Sequence, residues 1–289
     1  MPSGFFGFGR SFAFTPDGAA IVAVSRSGVV EVDLVRGGWQ MLAEGSAFTE
    51  VALSSDGRRI GVIEDMSGLT VIDRTTGLIR TFASLYRTRR DGAMVPIDFI
   101  MHPTFDHTGG KLYGVAWSHP RLPWDGTSLV AFEVGDEESK GIGATLLDES
   151  GGISLSQPQV VRDRLYVLSD VTGWMLPCQV ATDSGRLDPL AWHGEPGDAA
   201  ETDQGLGQRS WVIDDDAAYL SVNREGFGEL VRLDLGDGTL QSIRRGVFGW
   251  ISAAGGKVAA MRSGARVSPT IVCGSIDGAG LIALRTAHP

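Results

Sequence analysis

The sequence predicts an all-β protein, a single β-propeller of four-stranded antiparallel blades, and three observations carry that prediction. A module of strand, Asp-Gly turn, strand, polar turn and strand is written twice near the start, as SFAFTPDGAAIVAVSRSGVVEVDL from Ser11 and EVALSSDGRRIGVIEDMSGLTVID from Glu50. Apolar runs last only about four to eight residues before a turn signal, so helical periodicity of any length is missing. The 40 glycines are spread along the chain in Asp-Gly, Gly-Gly and Ser-Gly pairs, the punctuation of many short strands, and are not gathered into a linker.

Taken in order, the two opening modules each gain a fourth strand, WQMLA at Trp39 and LIRTFA at Leu78. The pattern returns with longer loops at His102 (HPTFDHTGGKLYGVAW), Gln157 (QPQVVRDRLYVLSD), Ser210 (SWVIDDDAAYLSVN) and Phe248 (FGWISAAGGKVAAMRSG). That gives six blades, at approximately 11–45, 50–85, 98–149, 154–193, 207–245 and 247–288, with seven as the alternative count, in one domain over 1–289. Between the second and third blades the basic run RTRR at 87–90 reads as a solvated loop.

The charge balance of 35 acidic against 25 basic side chains, a formal −10, argues against nucleic acid or an anionic membrane as partner, since either calls for a concentrated positive surface. Cys178 and Cys273 have neither metal-type nor redox-type spacing and read as buried thiols. The opening MPSGFFGFGRSF lacks the charged start and apolar run of a signal peptide, and no stretch reaches the roughly 18 apolar residues of a membrane span. A cytoplasmic protein without a cofactor is the expectation.

In a four-stranded meander, parity decides where each loop points. First and third turns lie on one face; second turns and the connections between blades lie on the other, around the central channel. TPDG and SSDG are first turns, so Asp17 and Asp56 are expected to serve the turn alone. The channel set collects Arg10, Glu50, Asp98, His102, Gln157, Gln208, Arg209 and Trp250 from connections between blades, and Arg26, Glu64, Asp65, His119, Arg121, Asp170, Trp174, Asn223, Arg224 and Arg262 from second turns. Mixed charge with aromatic side chains suits a polar small molecule or a peptide-like ligand. Within it, Asp65, Asp98 and His119 are the candidates for acid/base catalysis. No metal site is expected, because His102 and His107 of HPTFDH are separated by strand and turn and no close third ligand accompanies them.

Three words then point to a family. WSHPRLPWDGTSL at 117–129, SLSQPQ at 154–159 and LYVLSDVTGW at 165–174, in that order and spacing, resemble the N-terminal propeller of the prolyl oligopeptidase family, acylaminoacyl-peptidase branch, over about 95–243. The resemblance implies that the 116–129 loop is inherited architecture, with Trp124 packed over a blade and Asp125-Gly126-Thr127 turning the chain back into the sheet. It also implies seven blades, and an α/β-hydrolase domain after the propeller with a Ser on a Gly-x-Ser-x-Gly elbow. The chain departs on each point: six blades are counted, no Gly-x-Ser-x-Gly occurs, and RTAHP closes the sequence where that domain is expected. No family catalytic residue therefore carries over. A smaller departure follows Thr172-Gly173-Trp174, where Met175, Leu176, Pro177 and Cys178 stand; Pro177 cannot donate to a ladder, so this strand is expected to bulge or lose pairing.

Two functions of different class follow. One is a binding propeller for a small or peptide-like ligand, with a homodimer or a separately encoded partner on the surface where a hydrolase would dock. The other is an enzyme in its own right, a cyclase, isomerase, lyase or non-serine hydrolase acting on a specialised metabolite without a metal.

Overall fold

The computed structural model describes residues 11–89, 91–135, 141–147, 152–200, 207–275 and 280–286. All of the regular structure among them is strand, in six antiparallel four-stranded blades set around one axis. Blade 1 holds β1 (Phe12–Phe14), β2 (Ala20–Ser25), β3 (Gly28–Asp33) and β4 (Trp39–Glu44); blade 2 holds β5 (Phe48–Leu53), β6 (Arg59–Glu64), β7 (Gly68–Asp73) and β8 (Ile79–Phe82). Next comes a hairpin, β9 (Leu85–Thr88) and β10 (Met94–Ile97), followed by blade 3 with β11 (Phe99–Phe105), β12 (Lys111–Trp117), β13 (Ser128–Glu133) and β14 (Ile142–Leu147). Blade 4 is β15 (Leu155–Val161), β16 (Arg164–Ser169), β17 (Leu176–Ala181) and β18 (Arg186–Pro189). Blade 5 is β19 (Trp211–Asp214), β20 (Ala217–Arg224), β21 (Phe227–Asp234) and β22 (Leu240–Arg245), and blade 6 is β23 (Val247–Ala254), β24 (Lys257–Gly264), β25 (Val267–Ser275) and β26 (Ile282–Thr286). Among the described residues no helix is long and apolar enough to cross a membrane.

The first turns behave as their chemistry requires. Asp17 accepts from the Thr15 hydroxyl and the Ala19 N–H, and Asp56 accepts from the Ser54 hydroxyl and the Arg58 N–H. Those hydrogen bonds favour the ionised form and hold both carboxyls below the usual range. Neighbouring blades pack face to face, and buried apolar clusters fill the junctions 1–2, 2–3, 3–4, 4–5 and 5–6. The largest single contribution is Trp211, fully buried between blades 4 and 5.

Four sequence expectations are corrected. The basic run is only in part a solvated loop: Arg87 and Thr88 belong to β9, which pairs in parallel with the outer strand β14 of blade 3, Asp91 and Gly92 make the turn toward β10, and Leu85, Arg87 and Ile97 are buried, whereas Arg89 is exposed and residue 90 lies outside the described residues. Leu85 and Ile97 join the cluster between blades 2 and 3, so the alternation of β9 outweighs its charge. Pro177 causes no bulge. It pairs in register with Leu168, and its carbonyl accepts from Leu190 N–H; its nitrogen faces that same side, where the β18 ladder has already ended, so no donor is missed. Between the strands of the 116–129 stretch Pro123, Gly126 and Thr127 are buried, while Trp124 keeps 44% of its surface exposed. Of the two thiols, Cys178 is buried and Cys273 only half-buried.

Candidate functional site at the second-turn face

Four of the six innermost strands carry a break in register at the same level. The breaks fall between Phe48 and Val51 in β5, Met101 and Thr104 in β11, Ser156 and Gln159 in β15, and Gly249 and Ser252 in β23. Glu50, His102, Gln157 and Trp250 lie inside these bulges, and the last three have positive φ, between 48° and 56°. A bulge re-aims its residue out of the sheet's alternation. Here it turns Glu50, His102 and Gln157 into buried positions near the axis and leaves Trp250 exposed.

The buried groups are tied together. One Glu50 carboxylate oxygen accepts from the His102 N–H at 2.5 Å and the other from the Gly207 N–H at 2.9 Å, and His102 Nδ1 lies 3.4 Å from the carboxylate. Blades 2 and 5 stand opposite each other in a six-membered ring, and Gly207 leads into blade 5, so this carboxylate reaches across the axis. Glu50, His102 and Gln157 are at most 1% exposed. Gln157 completes the closure: its side-chain carbonyl accepts from Ser210 N–H at 2.8 Å, its amide donates to Ser210 Oγ at 2.9 Å, and its backbone carbonyl accepts from the Trp211 indole at 3.0 Å. These three predicted ligand contacts therefore form a floor.

Above the floor stand the other predicted residues. Asp98 is exposed and accepts the His119 backbone N–H at 2.8 Å, which brings two of the three catalytic candidates together through a main-chain donor. The His119 ring is exposed and meets Phe99 edge-on at 5.1 Å, and Phe99 stacks on Trp117 at 5.2 Å. Asp65, the third, is the first residue of a tight turn with Met66, φ 47° and 56°, and its side chain is exposed. Asp170 accepts from Ser154 N–H at 2.8 Å and fastens its turn to the entering strand of blade 4. Arg224 bridges Glu229 at 2.8 Å and donates to the Glu195 carbonyl, and Asn223 accepts from Gly226 N–H within its turn. Arg262 packs its Nε against Gly246. Arg26, Trp174 and Trp250 are exposed, and Glu64, Arg121, Gln208 and Arg209 are half-buried. Arg10 lies outside the described residues.

Sequence reasoning missed the bulges, although a signal exists: Pro103 and Pro158 directly follow His102 and Gln157, and proline inside a sheet is confined to edges and bulges. It also missed a cavity of about 290 Å³ on the first-turn face between blades 3 and 4, lined by Asp106, His107, Lys111, Tyr113, Asp163 and Asp183 among others. There His107 Nδ1 lies 2.9 Å from the Asp163 carboxylate. His102 and His107 thus belong to opposite ends of the blade, and among the described residues no three His, Cys, Asp or Glu side chains converge as a metal requires.

No protein-family model and no curated protein matches the sequence. Solved structures do match in shape. A puromycin-hydrolyzing peptidase of Mycobacterium tuberculosis superposes with a TM-score of 0.76 at 20% identity, over 98% of this chain and 44% of the peptidase. A puromycin hydrolase superposes with a TM-score of 0.71 at 18% identity, over 99% of this chain and 46% of that one. An oligogalacturonate lyase, solved in complex with manganese, superposes with a TM-score of 0.69 at 14% identity, over 96% of this chain and 78% of the lyase. The chain spans less than half the length of the two peptidases, and it has the fold of their propeller portion.

Proposed function

We propose that this propeller binds a small or peptide-like ligand on its second-turn face. The observation that carries the reading is the floor: Glu50 is bonded across the axis to Gly207, and Trp174, Trp250, His119 and Asp98 of the second-turn and interblade set are exposed to receive a ligand above it. Exposed indoles stack on flat or apolar groups, and an exposed carboxylate favours an amine or amide end. Puromycin-hydrolysing peptidases share this propeller shape, so puromycin is the first probe, with cytoplasmic action consistent with two free cysteines. Titration followed by tryptophan fluorescence and calorimetry is expected to give saturable binding that Trp174→Ala and Asp98→Asn weaken about tenfold each, the loss of one good contact of roughly 1.4 kcal/mol. Absence of saturable binding of puromycin and of short peptides, by a folded protein, overturns the reading.

A second reading has its own observation. The lyase that superposes is covered over 78% of its length, so in that protein a propeller of this shape is most of an enzyme. On this reading Asp98 and His119 exchange a proton with the bound molecule and Asp65 assists from the neighbouring turn. Product formation from oligogalacturonate or a peptide amide, lost in His119→Ala with binding retained, separates catalysis from binding alone.

A further inference from the structure

One junction of the ring differs from the other five. Among the described residues no buried cluster joins blade 6 to blade 1, whereas each of the other junctions has one. The face that blade 1 turns toward this seam is apolar: register places Phe12, Phe14, Ile21, Val32, Trp39 and Met41 on one side of β1–β4. Trp39 is 68%, Phe14 57% and Phe12 47% exposed. Blade 6 answers with Met261, Ile271, Cys273 and Ile282 on its own seam side, opposite Val258, Ala260 and Val272, which pack on blade 5. Two facing apolar sheets left open to water are unfavourable, and a contiguous patch of this kind marks a surface that something covers.

We propose that the occupant is the chain's own first ten residues. They run directly into Ser11 and β1, whose Phe12 and Phe14 begin the exposed face. Its sequence, MPSGFFGFGR, contributes Phe5, Phe6 and Phe8 with a single charged side chain, Arg10. Phe6 and Phe8 continue the period-two alternation of Phe12 and Phe14, and Gly7 and Gly9 permit the chain to bend back over the sheet. Reach is sufficient: ten residues span up to about 33 Å extended, against about 15 Å across four strands. Burying three phenylalanines against two apolar faces supplies a driving force that neither the segment nor the seam has alone. The inference is independent of any ligand on the second-turn face.

Cys273 reports on the seam, because it points into it while the other thiol, Cys178, is buried in the blade 3–4 cluster. The test compares the full chain with a 1–10 deletion and with full-length Phe5→Ser/Phe6→Ser/Phe8→Ser, by the rate of Cys273 labelling with a bulky maleimide, the thermal midpoint and the sedimentation mass. The expected result is about tenfold faster labelling and a lower midpoint in both variants, all three proteins remaining monomeric, with protection restored to the deletion by a synthetic peptide of residues 1–10. Equal labelling rates and midpoints overturn the proposal. Protection that disappears on dilution together with a dimer also overturns it, assigning the seam to a second copy. If the deletion fails to fold, the triple substitution decides by the same readouts.

Discussion

Blades 1 and 2 are the two most alike in sequence, and they differ in how their equivalent faces are used. Ile60 and Ile72 of blade 2 are at most 1% exposed, pressed against blade 1. Their counterparts one module earlier, Ile21 and Val32, sit on the seam face and are only partly covered. The strand leading each blade also differs: β5 bulges at Glu50, while β1 pairs without interruption through Phe12, Ala13 and Phe14, with Ser11 at the corresponding position. A repeat can therefore specify a blade's internal pairing while its burial depends on its place in the ring.

The comparison can be broken most severely at Glu50. Glu50→Ala leaves the buried N–H groups of His102 and Gly207 without their acceptor and is expected to cost about 4 kcal/mol, summing two charge-assisted bonds, against less than about 1 kcal/mol for Ser11→Ala; urea unfolding measures both. Next in size, Ile60→Ala should cost about 3 kcal/mol and Ile21→Ala about 1 or less, by cavity formation at a sealed junction and at a partly covered face. Equal losses would mean that the seam is as well packed as junction 1–2.

Thiol chemistry sharpens the same contrast between sealed and open faces. Burial pushes the Cys178 thiol up to about 12, so native protein at pH 8 should be alkylated at Cys273 alone, with Cys178 reacting only after unfolding; mass spectrometry of the labelled peptides reads this directly. The smallest effect is expected in acid. Burial works against ionisation of Asp73 but is outweighed by hydrogen bonds from Arg58 and the Thr76 and Thr75 N–H groups, which bring it to about 2. A depressed carboxyl stabilises the fold above its unfolded value near 4 and loses that contribution as pH falls toward 2. Asp33, its counterpart in blade 1, is lowered by the N–H groups of Arg36 and Val35, without an Arg58 equivalent bonded to it. Asp73→Asn should therefore flatten the stability profile between pH 4 and 2 more than Asp33→Asn, a result that chemical unfolding at stepped pH can reverse or uphold.

The six blades were legible because each carries its own local instructions: Asp-Gly turns, short alternating strands and tight second turns. Parity assigns Asp98 and His119 to the same face, and in the structure the His119 N–H donates to the Asp98 carboxylate. The hairpin at 85–97 was obscured because a run of arginines reads as solvent-facing, although Leu85 and Arg87 alternate inward and Asp91-Gly92 makes the turn. Glu50 could be placed near the axis, but not its partner. Gly207 is 157 residues away in the chain, and no local pattern encodes a bond that exists only once the ring has formed.

That bond changes how the molecule should come apart. An array whose modules touch only their neighbours melts from its ends in steps, because no module is coupled beyond the next. A strut between the second and fifth modules makes the four from 2 to 5 a closed loop of contacts, in which loss of one member strains the whole. Blades 1 and 6 lie outside that loop, and among the described residues no buried cluster joins them to each other. Hydrogen exchange should accordingly divide the protein into a protected middle that opens as a unit and two flanks that open first.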